Sequence, residues 1–120
     1  MAIKTGNLTF TFPVSSDSAI NEGEFVSLNS SGQVLRTATN AVEIGVAAEN
    51  AAVSATSISV EIMGPVFKVV SGAAVAVGAV LYAGASGRTT GTANTGAVAK
   101  FVALEAAGAA GQLISVVRTV

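Results

Sequence analysis

Short apolar runs alternate along the chain with short polar or glycine-rich breaks. Residues 8–12, Leu-Thr-Phe-Thr-Phe, alternate strictly. As a strand they would put Leu8, Phe10 and Phe12 on one face and Thr9 and Thr11 on the other. Pro13 then ends the ladder or confines it to a sheet edge. Residues 57–63 alternate in the same way, with Ile58, Val60 and Ile62 on one face. Further strands are predicted over 24–28, 33–36, 44–48, 66–70, 79–83, 88–90, 100–104 and 113–120. Asn29-Ser-Ser-Gly32 and Gly84-Ala-Ser-Gly87 are turn signals. The alanine-rich segments 47–53 and 104–110 read as loops or single turns. The pattern predicts an all-β chain, a small β-barrel or sandwich. Residues 1–13 are expected to form an N-terminal arm or first strand, and 14–120 a single β domain.

A repeat runs through the pattern. INEGEFVSLNSSG (20–32) aligns with VAVGAVLYAGASG (75–87) at an offset that pairs Gly23 with Gly78 and Gly32 with Gly87. Further on, Glu49 aligns with Glu105 and Ile58-Ser-Val60 with Ile114-Ser-Val116, after one inserted residue. Self-similarity in fixed order marks a structural unit. The expectation is two related strand-turn-strand units, about 20–63 and 75–118. Neither buries a core alone, so their apolar faces would pair. The upstream copy carries Glu22 and Glu24 where the downstream copy has Val77 and Ala79. The glutamates are expected to flank Gly23 in solvent. The downstream unit then has the less hydrated side, and Val77, Ala79 and Tyr82 are candidate subunit contacts.

Composition sharpens this. Hydrophobic residues make up 51% of the 120 residues, while charged residues make up only 11%, against roughly 25% in an ordinary soluble domain. Thinly charged surface is suited to burial against partners, each of which covers about 800 Å² in a standard interface. The cations Lys4, Arg36, Lys68, Arg88, Lys100 and Arg118 are scattered singly, and aromatics are only 5%. Nucleic-acid binding needs clustered cations and stacking aromatics, so it is set aside. The apolar stretch 71–86 falls short of the roughly 18–20 residues of a membrane helix, and the first ten residues lack the apolar core of a signal peptide. No membrane partner is expected.

Chemistry is sparse. The chain has no His and no Cys, which removes the commonest general base and the thiolate metal sites. Asp17 is the lone aspartate, and two nearby glutamates rarely make a metal cage. No Gly-x-Ser-x-Gly elbow occurs. The glycine turns lack the Lys-Ser/Thr ending of a phosphate loop. No catalytic, cofactor or metal residues are assigned, and the chain reads as a non-enzyme.

The chain resembles the small phage capsid decoration, or cement, proteins of the DUF2190 type. The resembling pieces are Lys4-Thr-Gly-Asn-Leu-Thr-Phe10, residues 19–28, Ile44-Gly-Val46 and residues 59–64 leading into Phe67-Lys-Val69. Ala79-Val-Leu-Tyr82, Ser86-Gly-Arg88 and residues 102–106 follow. Their order and spacing carry the likeness over nearly the whole chain. The family's Gly-Glu or Gly-Asp turn before its third strand is replaced here by residues 50–55. The resemblance implies a structural virion protein on the outer face of an assembled phage capsid, with no catalytic residues to carry over and no cofactor. Its implied partner is the phage major capsid protein, bridged by a homotrimer. The N-terminal strand is the expected capsid contact, through Ile3, Lys4, Leu8, Phe10 and Phe12, because an aromatic strand ahead of the repeat can add to a partner's sheet. The same alternation also suits a strand covering the chain's own core. Two other classes are a phage surface module that recognises host glycans and a self-assembling tail or lattice component.

Overall fold

A computed structural model describes residues 8–15, 19–38, 42–63, 66–92 and 100–119. They form ten strands: β1 (Leu8–Pro13), β2 (Phe25–Leu28), β3 (Val34–Arg36), β4 (Glu43–Ala47), β5 (Ser57–Met63), β6 (Val66–Val70), β7 (Val80–Ala83), β8 (Thr89–Thr90), β9 (Phe101–Ala103) and β10 (Leu113–Arg118). One 3-10 turn, Ala85–Gly87, links β7 to β8. Two antiparallel five-stranded sheets result, ordered β1-β5-β4-β2-β3 and β6-β10-β9-β7-β8. The fold is thus the all-β, sandwich-like one that the alternation predicts. Among the described residues no α-helix occurs. The alanine-rich segments instead bridge back to the chain, Ala51 to Ile20 and Ala107 to Val75.

The two sheets share one plan. Moving each strand of the first sheet five places along the chain reproduces the order of the second. The registers agree as well. Phe10 lies opposite Val60 on β5, and Phe67 lies opposite Val116 on β10. Phe25 lies opposite Val46, and Val80 opposite Val102. Loop hydrogen bonds repeat too: Gly23 N–H donates to Ala47 O at 2.9 Å, and Gly78 N–H to Ala103 O at 2.8 Å.

Each sheet builds a core on its inner face. The first core holds Val14, Ile20, Val26, Val34, Ala47, Ala51, Ile58 and Val60. The second holds Phe67, Val69, Leu81, Phe101, Ile114 and Val116 among others, and also Phe25 and Val46 from the first sheet. Neighbouring residues of one strand therefore serve different cores. Val26 and Ala47 point into the first, Phe25 and Val46 into the second, as strand alternation requires. The outer face of the first sheet is thus the lid of the second core. Phe25 closes it with its ring 5.2 Å from that of Phe101, and Phe67 meets Phe101 edge-on at 6.1 Å. Each such fully buried aromatic contributes about 2–3 kcal/mol by area.

The seam between sheets explains one glycine. Gly87 has φ +70°, and a β-carbon there would lie 2.8 Å from the Phe25 carbonyl oxygen and 2.9 Å from Glu24 Cβ. Only a residue without a side chain fits both the backbone and the space. Its amide donates to Thr37 O at 2.8 Å, and the Val70 amide donates to Gly23 O at 2.9 Å, so main-chain bonds also cross the seam.

The expected N-terminal arm needs refinement for residues 8–13. They are the edge strand β1, paired along β5 from Leu8–Met63 to Pro13–Ser57. Pro13 is accommodated because β1 is the end strand of its sheet. A register shift between Leu8 and Thr9 interrupts the strict alternation there.

Candidate functional site

Three surfaces stand out. The first is the rim of the inner face of the first sheet. Phe10 is 46% exposed, while Phe67, its counterpart in register, is 2% exposed. Leu8 and Leu28 are exposed as well, and Phe12 is half-buried against the first core. The centre of this side is closed by the chain's own fold, with Val26, Ile58 and Val60 buried, but among the described residues none covers its rim as Phe25 and Val46 cover the second core.

The second is the outer face of the second sheet. Val80 is 44% exposed, whereas its counterpart Phe25 is fully buried. Tyr82 and Val102 are half-buried on the same face, and Val77 stands out beside them. Of the residues expected at a subunit contact, Val77 and Tyr82 border this face. Ala79 packs against the second core.

The third is a groove of about 630 Å³ along the seam, lined by Arg36, Arg88, Thr89, Thr90 and the turn 84–86. Glu24 fixes one wall. Its carboxylate accepts the Asn21 amide at 2.8 Å and lies 3.7 Å from an Arg36 guanidinium nitrogen. Glu24 is 1% exposed, which corrects the expectation that it sits in solvent. The reason is the seam: the turn at Gly87 closes over it. The hairpin pairing sets Arg36 opposite Val26 and so near Glu24 on one strand face. The groove can hold a polar or anionic group, but its lining has no nucleophile–base pair.

Among the described residues no cluster of three or more His, Cys, Asp or Glu could hold a metal ion, and no helix is long and apolar enough to cross a membrane. Of the residues expected at the capsid, Ile3 and Lys4 lie outside the described residues. Leu8, Phe10 and Phe12 are brought together on β1.

Residues 3–119 match the model of the phage cement protein family. No curated protein matches the chain. Among solved structures, the chain is similar to the head fiber gp8.5 N base in bacteriophage phi29, with a TM-score of 0.72 and 20% identity. The match covers 93% of this chain and 95% of that one. At this identity the likeness is one of fold.

Proposed function

The chain belongs to the phage cement protein family, and from that premise we propose that it coats an assembled phage capsid as a homotrimer, bridging neighbouring copies of the major capsid protein. As a family member it is a structural virion protein of the capsid exterior. The match from residue 3 to residue 119 carries the reading, since it spans the whole of the described fold. The thin charge and the exposed apolar side chains on β1 and β7 support it, because such surface gains from being covered.

The mechanism is linkage. A protein that binds the assembled shell and not its separated subunits stabilises the shell by mass action. At a free concentration 100-fold above the dissociation constant, each bound site adds about 2.7 kcal/mol. Many copies multiply that effect without any single tight contact. Ile3 and Lys4, ahead of β1, are the proposed capsid contacts. Phe12 is spent on the chain's own core, and Leu8 and Phe10 have a different partner, argued below.

The test adds purified chain to bare expanded capsids and to bacterial envelopes. Electron microscopy should show new density on the capsids, and decorated shells should release their contents at a higher temperature. Unchanged capsid density overturns the reading, and retention on envelopes alone would favour a glycan-binding module instead.

A further inference from the structure

We infer that the exposed rim of the first sheet, around Phe10 and Leu28, docks on the outer face of the second sheet, around Val80 and Gly78, of another copy of this chain, repeating between chains the contact that joins the two sheets within one.

The internal contact is heterologous. It joins the outer face of one sheet (Phe25, Val46) to the inner face of the other (Phe67, Phe101). A contact between unlike faces of two similar units always leaves one of each face unused. Here the unused surfaces are the rim of the first sheet's inner face and the outer face of the second sheet. At the rims of the faces the exposures follow this rule, while the centres are buried alike, Val26, Ile58 and Val60 as fully as Leu81, Ile114 and Val116. Phe67 is buried and Phe10 is exposed, and Phe25 is buried and Val80 is exposed. Ala83, opposite Thr89, is buried, while Leu28, opposite Val34, is exposed.

The glycines obey the same rule independently. A β-carbon at Gly23 would run into Leu113 and Val70 across the seam, but at Gly78 it would meet nothing within 4 Å. At Gly87 it would strike Phe25, Arg36 and Glu24, but at Gly32 it would again meet nothing. The two covered glycines lie on the two used faces, and the two open ones on the unused faces. The exposed side chains at these two surfaces, Phe10, Leu28, Val77 and Val80, are apolar, so covering them desolvates no charge of their own.

Two contacts are not reproduced: Val80 and Gly45 stand in the places of the ring pair Phe25 and Phe101, and one hydrogen bond is lost. Val70, opposite Leu113, donates its amide to Gly23 across the seam. The residue in its place on β1 is Pro13, opposite Ser57, and proline has no amide hydrogen to give. The contact between chains is therefore weaker than the one within a chain. Heterologous contacts close into a ring or run on as a filament. The homotrimer proposed above would close a ring of alternating first and second sheets. Only this closure rests on that reading.

The experiment uses Phe10→Asp, which damages one face, and Val80→Asp, which damages the other. Both side chains are exposed, so both variants should fold, as circular dichroism and melting will show. Light scattering on the isolated wild-type chain should give an assembly. Each variant alone should give the mass of one chain. An equimolar mixture should give the mass of two, because Val80→Asp keeps an intact first face and Phe10→Asp an intact second one. A wild-type chain that stays monomeric at every concentration overturns the inference. So does a folded mixture that stays monomeric, or either variant assembling alone. No capsid enters the measurement, so its failure leaves the cement role standing, and a failure to bind capsids leaves the contact standing.

Discussion

The Glu105 carboxylate accepts the backbone N–H of Ser115 at 2.7 Å, tying the turn after β9 to the middle of β10. The first sheet repeats the arrangement, with the amide of Ser59 donating to Glu49 at 2.8 Å. Each glutamate stands just beyond the end of a short strand and takes up a main-chain donor of the long strand beside it. A carboxylate does this better than a neutral acceptor, since charge-assisted bonds are about twice as strong.

Replacing either glutamate should therefore destabilise the chain. Glu49→Ala should cost about 1 kcal/mol, or a melting temperature lower by about 4 °C. Glu105→Ala should lower it further, because Ser115 is buried and Ser59 is half-buried. Thermal melts of the two variants check the order. Equal melting to wild type in both would mean that water replaces the carboxylate at no cost.

The repeat of Glu49 and Glu105, with the Ile-Ser-Val strands, was legible in the sequence because these residues do the same local job in both sheets. All ten strands were legible for a similar reason: each is a short run bounded by turn chemistry. What could not be read was which face each run would use. Phe10 and Phe67 look alike as sequence, and only the stacking of one sheet on the back of the other makes one exposed and one buried. Glu24 was misplaced for the same reason, since its burial comes from the turn at Gly87, a contact between units. Leu8–Phe12 reads equally well as an arm or as an edge strand, because pairing with β5 leaves no mark on the residues themselves.

The two phenylalanines in matching register should answer differently to truncation. Phe67→Ala removes a ring that touches Phe101 inside the second core and should cost about 3–5 kcal/mol. Phe10→Ala removes an exposed ring and should shift the stability of a single chain by less than about 0.5 kcal/mol. Chemical denaturation of both, at concentrations where the chains are separate, measures the difference. A large loss for Phe10→Ala would show that its ring supports the first core after all.

Gly87 and Gly32 share a positive φ, +70° and +76°. Alanine at either position meets the same backbone penalty, about 1 kcal/mol. Only at Gly87 does the new methyl also press on Phe25, Glu24 and Arg36. Gly87→Ala should therefore lose at least about 2 kcal/mol more than Gly32→Ala, in the range that overpacking a tight site costs. Denaturant midpoints will rank them, and equal losses would mean that the seam can open at little cost.

Truncation separates folding from docking at the N-terminus. Removing residues 1–12 takes away nearly all of β1 and leaves the β5 edge, with Ile58 and Val60, uncovered. That chain should lose its cooperative melt, since an apolar edge strand with no partner invites aggregation. Removing residues 1–7 leaves β1 paired and should melt within a few degrees of the full chain. If Ile3 and Lys4 reach the capsid, the shorter truncation should fold normally yet coat expanded capsids at clearly reduced occupancy. Folding with full occupancy would take both residues out of the capsid contact and move the search to the groove between Arg36 and Arg88.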